Sequence, residues 1–113
     1  MNKLPNFEQL NFLIGKEILQ IQLNLNSITV ILNDDISITV ENSFKINGKY
    51  INIGEINSYG EIANILGSSI ETYEVTNNEL KIYFSHNNIL ILYAETSNYE
   101  CFTIDTPIES IVI

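Results

Sequence analysis

The sequence predicts an α+β, mainly β domain built from two similar units, each a short helix followed by an antiparallel meander. Apolar and polar residues alternate along much of the chain, which is the period of strands with one buried face. In addition, residues 6–46 resemble residues 58–104 when the first stretch is shifted by 52 positions. Two units that each bury one sheet face cover each other most simply, so we expect a sandwich or a closed barrel.

The internal repeat rests mainly on apolar positions. The shift needs no gap from Asn6 to Asp35, and it places Gly15 on Gly67 and Ile18 on Ile70. The matched apolar pairs are Leu10/Ile62, Leu13/Ile65, Ile14/Leu66, Ile28/Leu80, Val30/Ile82 and Leu32/Phe84. A length of 113 residues is close to the usual size for one hydrophobic core, so we expect one domain over residues 1–113.

Each unit is predicted to begin with a short helix. Asn6 can cap the first helix and Gly15 can end it. Ser58 and Glu61 have the spacing of a capping box for the second, which Gly67 ends. The buried faces of the two helices would be Phe7, Leu10, Leu13 and Ile14, and Ile62, Ile65 and Leu66.

Four strands are predicted in the first unit, and together they would form a meander. The stretch 19–25 alternates without an error, with Leu19, Ile21, Leu23 and Leu25 inward. Residues 28–32 form the next strand, and residues 33–35 form a hairpin because Asn and Asp tolerate left-handed backbone. Residues 36–40 return, and residues 44–46 form a fourth short strand.

The second unit repeats this order with bulkier residues. Strands are predicted over 70–75 and 80–84, followed by a hairpin at 86–88. Residues 89–93 are apolar on both faces, which is typical of a central strand covered on both sides. Further strands are predicted around 50–53, 101–104 and 108–113.

The charge balance is strongly acidic. Fourteen acidic residues face five lysines and no arginine, for a formal net charge of −9. A nucleic-acid-binding protein needs cations for phosphates, so this charge disfavours nucleic acids and anionic membranes and favours basic partners. The plainer explanation is that acidity keeps an isoleucine-rich chain soluble. The single cysteine, Cys101, and an N-terminus without a signal-peptide pattern indicate a cytoplasmic protein.

Residues that could carry chemistry are few. His86 lies in a predicted hairpin, where a solvated histidine is the more common case, and Cys101 lies in a strand, where a free cysteine is usually a small apolar residue. A turn explains the adjacent Asp34 and Asp35 fully. The sequence has no glycine-rich phosphate loop and no clustered metal ligands. We therefore expect a protein that is not an enzyme and has no cofactor or metal.

Tyrosines distinguish the second unit from the first. Where the first unit has Leu19 and Ile21, the second has Glu71 and Tyr73. Tyrosine is common in interface hot spots, although it also fills protein cores. The predicted partner-binding residues are Glu71, Glu74, Tyr83, Tyr93 and Glu100, with Asp34 and Asp35 at a hairpin tip.

The chain resembles a family of small bacterial proteins with the pattern Leu-x-Gly, then Leu-x-Ile-x-Phe, then Tyr-Glu-x-aromatic. The resemblance covers about residues 12–104 and is carried by the segments 13–16, 27–30, 78–84 and 98–102. Members of this family are often proposed to be immunity proteins of polymorphic toxin loci. The resemblance supplies no catalytic residues, and it implies that Tyr99 is anchored in the core.

These observations favour a non-enzymatic, cytoplasmic immunity protein that neutralises a basic toxin or enzyme by masking its active surface. The carboxylates and tyrosines would occupy a basic cleft that normally holds an anionic substrate. One alternative is a phage-type inhibitor of a host defence enzyme. Another is a small-molecule-binding or self-associating sheet protein, for which a homodimer is an option and a cavity between the two units would hold the ligand.

Overall fold

The computed structural model describes residues 7–76, 78–94 and 101–113, and its strands form two five-stranded antiparallel sheets. In spatial order, the first sheet contains β1 (Ile18–Leu23), β2 (Ile28–Leu32), β3 (Ser37–Val40), β9 (Phe102–Asp105) and β10 (Ser110–Val112). The second contains β5 (Lys49–Ile51), β4 (Phe44–Ile46), β8 (Ile89–Tyr93), β7 (Glu79–Phe84) and β6 (Ile70–Val75). The mainly β class is confirmed, whereas the closed barrel is wrong.

The last strand of each predicted unit, β4 or β9, lies in the sheet of the other unit, together with the strand that follows it along the chain. In the first sheet, β3 pairs with β9, so that Ile38 lies opposite Ile104. In the second sheet, β4 pairs with β8, so that Ile46 lies opposite Leu90. The prediction that residues 44–46 continue the first meander is therefore wrong. The edge of β3 is taken by β9 instead, and the chain crosses to the second sheet after Val40.

Strand pairing in the two sheets follows the same scheme at a distance of 52 residues. Both β1 and β6 contain an irregularity one residue after their start, where the register shifts. The same correspondence holds for the pairs of the central strands. The matched pairs are Ile18–Leu32 and Ile70–Phe84, Ile21–Val30 and Tyr73–Ile82, and Val30–Ile38 and Ile82–Leu90.

Reciprocal backbone hydrogen bonds join the starts of β1 and β6. The amide of Gly15 donates to the carbonyl of Ile70 at 2.8 Å, and the amide of Gly67 donates to the carbonyl of Ile18 at 2.9 Å. Both glycines have positive φ angles, of 87° and 82°, which turn the chain from a helix end toward the other unit. The remaining contacts are Ile18 to Ser68, Ile70 to Lys16, and the bridge between Glu17 and Ser69.

Two 3₁₀ helices, Phe7–Leu13 and Ile56–Ile65, precede strands β1 and β6. Because such a helix has three residues per turn, only positions three apart share a face. Leu10 and Leu13 are accordingly buried, but Ile14 is 45% exposed. Likewise Ile62 and Ile65 are buried, whereas Leu66 is 53% exposed. The predicted inward positions of Ile14 and Leu66 are therefore wrong.

The predicted capping box of the second helix does not form. Ser58 lies inside the helix, which begins at Ile56, and no side chain caps it. The Ser58 hydroxyl instead accepts from the amide of Asn52 at 2.9 Å and donates to the carbonyl of Glu55 at 2.8 Å. It therefore holds the preceding loop against the helix. Asn6, the predicted cap of the first helix, lies outside the described residues.

The strand β1 is less buried than its alternation predicts. Ile18 is buried and Ile21 is half-buried, but Leu19, Leu23 and Leu25 are 53%, 56% and 82% exposed. The register shift at Leu19 interrupts the alternation. Moreover, β1 is an edge strand, so neighbours cover it on one side only. The predicted inward face of residues 19–25 is thus wrong at these three leucines.

Strands β2, β3 and β7 follow their predicted alternation. Leu80, Ile82 and Phe84 are buried, and β8 is central as predicted. Only Leu90 and Leu92 of β8 are buried, however, so that strand is not covered on both sides. The two predicted hairpins form, with left-handed φ angles of 61°, 58°, 62° and 64° at Asp34, Asp35, His86 and Asn87.

Substituting the two junction glycines with alanine is expected to destabilise the fold. Gly15→Ala and Gly67→Ala each force a Cβ into left-handed backbone, at a cost of about 1 kcal/mol in the free energy of unfolding. Urea unfolding measures this cost. Gly60→Ala is the matched control, because Gly60 lies in a helix without a positive φ and has no atom within 4 Å of an added Cβ. Equal losses in all three variants would contradict a conformational origin.

Tyr73 is expected to make the fold less stable at alkaline pH. Burial, followed by the charge of Glu8, raises the pKa of Tyr73 above its ordinary value of 10.0. The folded state thus favours the neutral phenol, and stability is lost as pH rises above about 10. Tyr73→Phe should flatten this dependence in unfolding curves measured across that range, while removing the hydrogen bond from the Tyr73 hydroxyl to Asn11. An unchanged pH profile would contradict this assignment.

Candidate functional site

The outer surface of the second sheet carries a cluster of tyrosines, which we call the tyrosine face. Since Leu80, Ile82 and Phe84 point into the core, the residues between them point outward. The same alternation applies to the neighbouring strands. The face consists of Lys45, Tyr50, Glu74, Glu79, Lys81, Tyr83, Ile89, Ile91 and Tyr93, all of which are half-buried or exposed.

One end of the tyrosine face is an aromatic stack. The rings of Tyr50 and Tyr93 lie 6.5 Å apart between centroids, at an interplanar angle of 28°. The Nζ atom of Lys45 lies 4.6 Å from the centroid of the Tyr50 ring, in the geometry of a cation–π contact. Burial is the main cause that raises the pKa of Tyr93, while the nearby Lys45 acts against it. The Tyr93 phenol is therefore held in its neutral form, and Lys45 packs against the other ring of the stack.

The other end is held by a hydrogen bond between adjacent strands. The hydroxyl of Tyr83 donates to Oε1 of Glu74 at 2.6 Å. This hydrogen bond, which favours the neutral phenol, is the main cause that raises the pKa of Tyr83. Glu74 also lies directly opposite Lys81 in the pairing of β6 with β7. The carboxylate thus fixes the orientation of the tyrosine ring.

The tyrosine face carries both signs of charge. Lys45 and Lys81 lie among Glu74 and Glu79, with a Glu79–Lys81 distance of 3.9 Å between carboxylate and ammonium. Sequence reasoning predicted an acidic and aromatic surface and missed Lys45 and the exposed Tyr50. Both belong to strands that come from the first half of the chain, and only the pairing of β4 with β8 places them here.

The outer face of the first sheet is chemically different. It is lined mainly by hydroxyl and amide side chains, and the Thr29 and Thr39 hydroxyls lie 3.2 Å apart. Its described residues are Gln20, Gln22, Thr29, Ile31, Ser37, Thr39, Thr103, Asp105, Ser110 and Val112. Among these, only Asp105 is charged and none is aromatic. The two sheets therefore share a pairing scheme but present different outer surfaces.

The structure brings together three of the seven predicted partner-binding residues, namely Glu74, Tyr83 and Tyr93. Glu71 is exposed on β6, the edge strand that also carries Glu74, and it lies at the register shift of that strand. Glu100 lies outside the described residues.

Asp34 and Asp35 lie apart from the tyrosine face, on the β2–β3 hairpin of the first sheet, and both are exposed. Asp34 forms an ion pair with Lys16. It also lines a surface groove of about 340 Å³ together with Phe12, Ile36, Thr106, Pro107, Ile108 and Glu109. The two aspartates therefore belong to a different surface from the tyrosines.

The two residues weighed for nucleophilic chemistry lie in different settings. His86 is exposed in a turn, and Cys101 is buried and forms no disulfide bond. In the part of the chain that the structure describes, no three His, Cys, Asp or Glu side chains are grouped so that they could hold a metal ion. Within the same residues, no helix has the length and apolar character needed to cross a membrane.

Comparison with known protein families, curated proteins and solved structures finds no match to this chain. The resemblance to the bacterial immunity-type family therefore stays a prediction. The case for a function rests on the geometry of the tyrosine face.

Glu74→Gln is expected to lower the pKa of Tyr83 toward its ordinary value of 10.0, because the amide accepts a weaker hydrogen bond and carries no charge. The shift of the Tyr83 ring signals in an NMR titration measures this pKa. Glu71→Gln, on the same strand, should leave it unchanged. A Tyr83 pKa that responds equally to both substitutions would show that general surface charge is responsible rather than the hydrogen bond.

Proposed function

We propose that this chain is a non-enzymatic protein-binding domain that neutralises a partner by covering the partner's functional surface with the tyrosine face. The observation that carries the proposal is the grouping of Tyr50, Tyr83 and Tyr93 on one sheet face, two of them stacked and one fixed by Glu74. The outer face of the first sheet carries mainly hydroxyl and amide side chains instead, and none of its described residues is aromatic.

The energetics of binding support this surface. A tyrosine ring supplies a large contact area with few rotatable bonds, and its hydroxyl can find a polar partner at the interface. Fixing Tyr83 through Glu74 before binding lowers the entropy lost on association. Ile89 and Ile91, which are half-buried between the tyrosines, add apolar area that a partner would cover.

Charge supports a basic partner. The net charge of −9 attracts a cationic protein over long distances and speeds its encounter with the domain. At the face itself, Lys45 and Lys81 next to Glu74 and Glu79 provide charges of both signs for specific pairing. An immunity protein that masks a basic toxin is the form of this function that we favour, as the family resemblance implies.

We further propose that the domain is a sandwich of the two sheets that arose by internal duplication. The shared register at a distance of 52 residues and the reciprocal bonds of Gly15 and Gly67 support this origin. The duplicated scaffold would keep one sheet with mainly hydroxyl and amide side chains outside, while the other acquired its tyrosines. We also propose a cytoplasmic location, which the presence of a single cysteine in the chain supports, because one cysteine cannot form a disulfide framework.

The test is a pull-down from lysate of the source organism with the wild-type domain and two paired variants, followed by measurement of affinity for the purified partner. Tyr83→Ala with Tyr93→Ala should weaken binding by about 100-fold, since interface tyrosines are typical hot spots. Thr29→Ala with Thr103→Ala, on the outer face of the first sheet, should leave affinity unchanged.

A functional assay completes this test. An equimolar amount of the wild-type domain should abolish the activity of the partner, and high salt should weaken the complex. Equal affinity in both paired variants would show that the tyrosine face is not the binding surface. A bound partner that keeps its full activity would contradict neutralisation.

A further inference from the structure

The edge strand β1 is unusual in its lack of charge. No charged residue occurs between Glu17 and Asp34. The corresponding edge strand of the second sheet, β6, carries Glu71 and Glu74. Charged side chains at sheet edges oppose pairing with other chains, so β1 lacks a protection that β6 has.

The outer side of β1 presents free backbone groups. The Asn24 amide donates to the Ser27 carbonyl at 2.9 Å, and bonded pairs alternate along an antiparallel ladder. The next bonded pair toward the strand start is therefore Gln22 with Thr29, which leaves the N–H and C=O groups of Ile21 and Leu23 directed away from β2. Among the described strands, none lies on that side of β1.

Exposed apolar side chains flank these free groups. Leu19, Leu23 and Leu25 are 53%, 56% and 82% exposed, and Ile56 beside them is 79% exposed. Leu23, Leu25 and Ile56 line a surface groove of about 340 Å³ together with Asn24, Gly54 and Tyr59. The edge therefore combines unpaired backbone with apolar surface, which is the combination that strand addition requires.

The order of residues along this edge is nearly palindromic. Around Gln22 the sequence has Ile21 against Leu23, Gln20 against Asn24 and Leu19 against Leu25. An antiparallel copy of the strand would thus place apolar residues opposite apolar residues and amides opposite amides. The part of β1 whose outer backbone groups are accessible is also centred on Gln22. At one end, the carbonyl of Ile18 already accepts a hydrogen bond from the amide of Gly67, and at the other end the chain turns after Asn24.

We propose that β1 pairs with β1 of a second copy of this chain, antiparallel and with Gln22 opposite Gln22, to form a symmetric homodimer. In this register, Ile21 of each copy forms backbone hydrogen bonds with Leu23 of the other copy. These are the two residues whose N–H and C=O groups point away from β2. Leu19 of each copy approaches the exposed Leu25 and the adjacent groove of the other. The first sheets join into one sheet of twice the width, and the tyrosine face stays free on each copy.

Charge gives the dimer a distinctive salt dependence. Two copies with a net charge of −9 repel each other at long range, although the paired edges are neutral. Added salt screens this repulsion, so it should strengthen the dimer. Binding of a basic partner to the tyrosine face should respond to salt in the opposite direction, which separates this proposal from the proposed function.

Sedimentation across a micromolar concentration series provides the first test. The wild-type mass should rise to that of two chains as concentration and salt increase. Gln22→Lys should weaken dimerisation by about tenfold or more, since it places two like charges opposite each other. Ser110→Lys, on the opposite edge of the same sheet, makes the same change in net charge and should leave the dimer intact.

Cross-linking tests the register. Directly opposite residues of a non-bonded pair have Cα atoms about 4.5 Å apart, within the range of a disulfide. Oxidation of Gln22→Cys should therefore yield a covalent dimer, whereas Gln20→Cys, which faces Asn24 of the other copy, should not. The native Cys101 is buried and should not interfere. A monomer under all conditions, an unchanged dimer in Gln22→Lys, or equal cross-linking of both cysteine variants would overturn the proposal.

Discussion

The backbone junction between residues 15–18 and 67–70 is the constraint on which the rest of the fold depends. Its reciprocal hydrogen bonds fix the starts of β1 and β6 against each other, and thereby set where both sheets begin. Each helix ends two residues before a glycine, Gly15 or Gly67, whose positive φ directs the chain into the junction. Both ends of the junction are bonded in the same way, and the helix ends, the register shifts and the hairpins occur at matching positions in the two halves.

Local periodicity was sufficient for the strands whose surroundings are regular. Leu80, Ile82 and Phe84 alternate cleanly, and β7 lies between two neighbours, so their burial could be predicted. The same pattern failed at Leu23 and Leu25, because alternation does not show that a strand lies at the edge of its sheet. It also could not distinguish an α-helix from a 3₁₀ helix, and the difference decides whether Ile14 and Leu66 are buried.

The candidate site was predictable only where it lies within one meander. Glu74, Tyr83 and Tyr93 are neighbours through the pairing of β6, β7 and β8, which follow each other along the chain. Lys45 and Tyr50 reach the same face through the pairing of β4 with β8, across more than 40 residues of sequence. No pattern in the sequence indicates that exchange of strands, so half of the aromatic stack could not be predicted.

The exchange of strands between the halves also determines how the chain can fold during its synthesis. When residues 7–46 leave the ribosome, β3 can pair with only one neighbour, β2. Its other edge stays unpaired until β9 has been synthesised. The first sheet therefore cannot close until Phe102–Asp105 has been made. Contacts so distant in sequence slow folding, and they leave an apolar edge exposed in the meantime. Until β9 reaches it, the open edge of β3 can pair with strands of other chains, so the order of synthesis exposes an edge that the finished fold covers.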